Sequence, residues 1–140
     1  MKNDRLQIPV DRAYAHALGV TVICFARLQT VAISCCEALL PGYGQSAHLK
    51  SAGTVAADLV ALSLATSERL LPLDFSTAAQ EFMRLTLRRN ALLHAAAASA
   101  PYGDQRLFRS GAQWTITIVE DLADEFVAAE TALRRCLSAM

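Results

Sequence analysis

Apolar residues recur along most of this chain at the three-and-four spacing of helices buried on one side, and one short stretch switches to strict alternation. Leu18, Val22, Phe25 and Leu28 mark the first stripe, in a run that begins after Pro9 with Asp11 near its N-terminus and is stopped by Pro41-Gly42. A polar loop, Tyr43 to Lys50, leads into a second stripe of Val55, Leu59, Leu62 and Ala65, which ends near Leu71-Pro72. Asp74, Ser76 or Thr77 then caps a third helix, whose Phe82, Leu85, Leu92 and Leu93 carry a buried side as far as the alanine run Ala95 to Ala98. Beyond Ser99 to Asp104 the texture changes. Gln105 to Arg109 and Trp114 to Ile118 alternate polar and apolar residues around Ser110-Gly111-Ala112-Gln113, a hairpin signal. The last helix has Glu120-Asp121 in its first turn and Arg134-Arg135 in its last, as the helix dipole favours. The pattern predicts a mainly α fold, a four-helix bundle with a small β-hairpin between the third and last helices, in which residues 1–140 form one domain without repeats or low-complexity tracts.

Composition narrows the class of protein. Hydrophobic residues make up 54% of the 140, with only six Gly and four Pro, which favours helix over sheet. Thirteen basic residues balance thirteen acidic ones, so no global field draws the chain to nucleic acid and any such affinity must be local. Met1-Lys2-Asn3-Asp4-Arg5 is polar and no cleavable signal is expected. The apolar run Ala13 to Leu40 is interrupted by His16, Arg27, Gln29 and Glu37. An arginine near the centre of a membrane span is costly, so a buried helix of a soluble, cytoplasmic protein is expected, with no membrane partner. Cys24, Cys35, Cys36 and Cys136 lack zinc-site spacing and are expected to be free thiols in a reducing compartment; neither Cys35 nor Cys36 has an obvious thiolate-stabilising cation beside it. His16 and His48 are too isolated to form a metal site.

The candidate chemistry is concentrated in Arg88-Arg89-Asn90-Ala91-Leu92-Leu93-His94-Ala95, where polar groups interrupt an apolar helical pattern. In an ideal helix Asn90 and His94 share a face, whereas Arg89 and His94 are separated by roughly 140° around the axis. One copy of the helix therefore makes an incomplete site, and a two-fold axis beside it would bring two arginines and two histidines together. Arginine binds phosphate bidentately and histidine moves protons near neutrality. RNA cleavage by its own 2′-hydroxyl needs a base, an acid and positive charge at the phosphorus, and it requires neither metal nor other cofactor.

These residues resemble a known family. Arg89-Asn90-Ala91-Leu92-Leu93-His94 is similar to the R-x(4–6)-H signature of the HEPN superfamily, including the polar residue, often Asn, that follows the arginine. The resemblance implies a small helical bundle that dimerises with the motif in the interface cleft. It also implies a metal-independent ribonuclease of the kind found in toxin–antitoxin, phage-defence or RNA-processing systems. It would make Arg89 the phosphate ligand, His94 the general acid or base, and Asn90 the residue that orients them. One toxin subgroup carries a Tyr two residues after the histidine; Ala96 stands there in this chain, so an antitoxin that modifies such a Tyr is not implied. At a vaguer level, the order Ser51 to Thr54, Arg88 to Ala95, Gln105 to Arg109, Trp114 and Glu120 to Phe126 is similar to small bacterial proteins, a resemblance that brings no activity with it.

Other readings stand beside that one. A helical histidine is commonly structural, and an Arg-Arg pair is commonly a solvated face. Arg84, Arg88, Arg106 and Arg109 would widen a positive groove for RNA phosphates, or serve as ordinary surface charges. Trp114 and Phe108 would stack on a base or pack the hairpin onto the bundle. The expected function is thus a homodimeric endoribonuclease with RNA substrate and a protein partner such as an antitoxin. The alternatives are a non-catalytic module that binds RNA, a nucleotide or a protein through the same cleft, and a bundle whose apolar faces serve oligomerisation alone.

Overall fold

The computed structural model describes residues 2–140. Four helices, α1 (Arg12–Leu39), α2 (Ala52–Ala65), α3 (Phe75–Leu93) and α4 (Ile116–Ser138), form the bundle, and three short strands, β1 (Ala96–Ser99), β2 (Gln105–Arg109) and β3 (Ala112–Trp114), lie between α3 and α4. The mainly α bundle with its small β element is the architecture the apolar periodicity predicts.

Three of the four helices begin where a side chain accepts from the first turn. Asp11 accepts from the Tyr14 backbone N–H at 2.8 Å, Ser51 from Thr54 at 3.1 Å and Thr115 from Ile118 at 3.2 Å. Asp74 occupies the corresponding position of α3 without a side-chain cap bond. The longest packed seam joins α1 to α4, and Phe25 sits at its centre: its ring stacks on Phe82 of α3 at 6.2 Å and meets Phe126 of α4 edge-on at 5.1 Å. Three helices are thus locked through one aromatic residue with two ring contacts. The loop after α1 is less open than its composition suggests, because two 3-10 turns bury Tyr43 and Ala47, and the Tyr43 hydroxyl donates to Asp58 of α2 at 2.7 Å.

Three expectations are corrected. The second helix ends at Ala65 and not near Leu71-Pro72: Thr66 turns extended, its hydroxyl donates to the Leu62 carbonyl at 2.8 Å, and Glu68–Leu70 form a separate 3-10 turn. The third helix does not continue through the alanine run. It closes at Leu93, His94 is its C-terminal cap, and Ala96 to Ser99 form β1, paired antiparallel with β2 in the register Ala97↔Leu107 and Ala98↔Arg106. Alanine has the highest helix propensity of any residue, but propensity is a small term per residue and the ladder to β2 outweighs it. The sheet therefore has three strands in the order β1-β2-β3. The last strand is also shorter than predicted: β3 stops at Trp114 and α4 starts at Ile116, ahead of Glu120-Asp121. Thr115 caps the helix there, and Trp-Thr-Ile-Thr-Ile satisfies a strand pattern and a capped helix start equally well.

Helix α1 is long and apolar enough, by length and composition, to cross a membrane. In the fold its Tyr14, Phe25, Leu28 and Val31 are buried in the bundle, a placement consistent with a soluble protein. Its Arg27 pairs with buried Glu130 of α4 at 3.1 Å, and Arg134 meets the other carboxylate oxygen at 2.7 Å. The two guanidiniums, Arg27 first, hold the Glu130 carboxyl below its ordinary range. All four cysteines are free; burial pushes the Cys35 thiol up to about 12 and Cys36 to about 11.

Candidate functional site

The last two turns of α3 present Arg88, Arg89 and Asn90, and the helix separates two recesses. Consecutive helical residues point about 100° apart, so Arg88 and Ala91 face the sheet while Arg89, Leu92 and Leu93 face α1.

On the α1 side, the Arg89 guanidinium lies over the Phe25 ring at 4.8 Å and donates from Nη1 to the Asn90 side-chain oxygen at 3.2 Å. No carboxylate among the described residues pairs with it. Stacking fixes the plane of the guanidinium while its edge donors stay available to an oxyanion. The recess beside it, about 120 Å³, is lined by Val22, Phe25, Ala26, Gln29 and Leu93 among others. Its rim is apolar and uncovered: Val22 is 55% exposed, its neighbour Ile23 62% and Leu93 51%. A half-buried cation is thus set in an exposed hydrophobic face.

His94 follows at the end of α3. Its backbone N–H donates to the Asn90 carbonyl at 3.0 Å, while its side chain is exposed and has no hydrogen-bond or ionic partner among the described residues. It does not line the Arg89 recess. Within one chain, Arg89 and Asn90 are brought together and His94 stands apart from them.

The four arginines expected to widen a positive groove, Arg84, Arg88, Arg106 and Arg109, divide into two kinds. Arg84 is held by Glu81 at 2.6 Å and Glu125 at 2.8 Å, and Arg106 is paired with Asp11 at 2.7 Å and stacked over Tyr14 at 4.2 Å. Their charge is already matched inside the fold. Arg88 stacks over the Trp114 indole at 5.0 Å, Arg109 ends β2 exposed, and neither has a carboxylate partner among the described residues. Both line the recess on the sheet side of α3, together with Gln113 and Trp114. Phe108 of β2 is half-buried and lines neither recess. Phe25 as the platform for Arg89 and Gln113 beside the two free arginines were not visible in the sequence as site residues; Phe25 reads there only as one position of a core stripe. Among the described residues no group of His, Cys, Asp and Glu has the arrangement of a metal site. Compared with protein families, with curated proteins and with solved structures, the chain matches none.

Proposed function

We propose that this protein is a homodimeric, HEPN-like endoribonuclease acting in the cytoplasm, with its site assembled where the α1–α3 faces of two copies meet. The observation that supports this most is Arg89: an unmatched guanidinium, ordered by Phe25 and Asn90, in an apolar face left open by Val22, Ile23 and Leu93. Covering that face with its own copy removes apolar surface from water and places a second Arg89 and a second His94 at the same groove. In the reaction, a base takes the proton of a 2′-hydroxyl, that oxygen attacks the adjacent phosphorus, and the bond to the 5′-oxygen breaks as an acid protonates it. The products are a 2′,3′-cyclic phosphate and a 5′-hydroxyl. Arg89 carries the charge that builds on the non-bridging oxygens, and His94 serves as acid or base. A protein antitoxin that covered this cleft would restrain the activity.

Single-stranded RNA with end-labelled products tests the reading. His94→Ala is expected to lower the cleavage rate by about 10²–10⁴-fold and Arg89→Ala by about 10²–10³-fold, with RNA binding largely kept in the first. The exposed, unpartnered imidazole favours a second reading, a non-catalytic RNA-, nucleotide- or protein-binding module. In that case the wild-type protein binds RNA without cutting it and His94→Ala changes nothing. Cleavage unaffected by both substitutions contradicts the site.

A further inference from the structure

The recess on the sheet side of α3 has a chemistry of its own. It encloses about 280 Å³ between the last turns of α3, the β2–β3 hairpin and the start of α4. Arg88, Arg109, Gln113 and Trp114 supply its functional groups, Ala91 and Ile118 contribute apolar wall, and no acidic residue lines it. Two cations facing one cavity without a counter-charge repel each other and are stabilised by an anion between them.

The stacking arrangement defines what else the anion carries. Trp114 is only 6% exposed, with Arg88 over its ring at 5.0 Å, so the indole is a buried floor and the guanidinium is the layer above it. A guanidinium stacked in this way is held flat, with its outer face open to another planar group and its edge donors open to phosphate. Gln113 adds an amide that can both donate and accept beside that plane, as the edge of a heterocycle requires. Arg109 ends the strand at the exposed side, where a phosphate would remain partly hydrated. Inorganic phosphate would leave the apolar wall and the flat layer unused; an uncharged aromatic would leave the arginines unmatched.

We infer that this recess binds a nucleotide, the base lying on the Arg88–Trp114 stack beside Gln113 and the phosphate held by Arg109 and the edge of Arg88. The site lies across α3 from Arg89 and stands whether or not the chain cleaves RNA. The nucleotide is either free or one residue of an RNA strand, since both present the same base and phosphate.

Trp114 is the chain's single tryptophan, so its emission reports on this recess directly. Titration with the four ribonucleoside 5′-monophosphates is expected to change that emission saturably for at least one of them. The corresponding nucleoside and inorganic phosphate should bind at least about tenfold more weakly, the loss expected when one charge-assisted contact set is removed. Arg109→Gln should weaken the nucleotide by about tenfold or more, with far-ultraviolet circular dichroism unchanged. Equilibrium dialysis with labelled nucleotide gives the same constants without relying on the indole, which allows Arg88→Gln to be measured as well. A tetraribonucleotide that binds more tightly than the monophosphate assigns the recess to an RNA strand, and equal or weaker binding assigns it to a free nucleotide. The inference is overturned if none of the four nucleotides binds, if the nucleoside binds as well as its phosphate, or if the Arg88→Gln, Arg109→Gln double variant binds like the wild type. Cleavage is not the readout, so an inactive nuclease still reports on the recess, and an empty recess leaves the Arg89 and His94 experiment standing.

Discussion

Tyr14 joins three elements at one atom: its hydroxyl donates to the Trp114 carbonyl at 2.6 Å and accepts from the Leu107 backbone N–H at 3.1 Å, tying α1 to β2 and β3. Replacing it with Phe leaves the buried Trp114 carbonyl and the half-buried Leu107 N–H without this partner, so Tyr14→Phe should destabilise by about 1–3 kcal/mol, seen as a lower urea midpoint with an unchanged slope. Cys35 and Cys36 are buried with their thiols raised to about 12 and 11, so at pH 8 they stay protonated and should react with iodoacetamide only as fast as the protein unfolds. Residue types were legible in the sequence at this scale, and their partners were not. Arg84 and Arg88 look alike four positions apart, yet Glu125 neutralises the first from a distant helix while Trp114 stacks against the second. Glu81, one turn before Arg84, is a local signal of that difference, but Glu125 and Trp114 arrive through tertiary packing that no local pattern encodes.

The end of α1 followed the apolar period where Pro41-Gly42 reinforced it, whereas α2 stopped at Ala65, several residues short of Pro72. The period also failed where tertiary pairing decided the outcome. Ala96 to Ala98 have the strongest helix preference of any residue and nevertheless form an edge strand, since β2 offers them a ladder and His94 ends the helix. That boundary matters for the site: an imidazole at the helix end, rather than inside it, is free to face a neighbouring molecule. The turn between β2 and β3 places Ser110 at φ 52° and Gly111 at φ 80°, both left-handed, which matches the twist of a two-residue hairpin. Gly111→Ala should cost about 1–2 kcal/mol, and Thr115→Ala, which removes the cap of α4, about 1 kcal/mol. Thermal unfolding monitored at 222 nm measures both. Since β3 and the start of α4 form one wall of the nucleotide recess, both variants should also weaken binding there.

For the molecule as a whole, balanced charge conceals an acid sensitivity. Glu130 is depressed by Arg27 and Arg134, Asp58 by the Tyr43 hydroxyl and Lys50, and Glu81 by Arg84. A carboxylate depressed on folding stabilises the native state above its unfolded value, ordinarily 4.5 for Glu and 3.8 for Asp, and that stabilisation is lost as the pH falls through the lower folded value. The melting temperature should thus be level from neutrality to about pH 5 and fall below it, with a shallower fall in Glu130→Gln. The bundle was legible as a whole because four amphipathic stripes admit few other ways to bury themselves. The proposed pairing of two copies rests in the sequence on a need alone, since a single helix does not bring Arg89 and His94 to one point. The exposed Val22, Ile23 and Leu93 near Arg89 are where the proposed pairing would lie. The decisive measurement is the RNA-cleaving activity of Ile23→Glu, with its mass read by sedimentation in the same buffer. A folded monomer of 15.1 kDa whose cleavage is reduced at least about tenfold is expected, against a wild type of twice that mass. A monomeric Ile23→Glu that cleaves RNA as fast as the wild type would contradict a site shared between two copies.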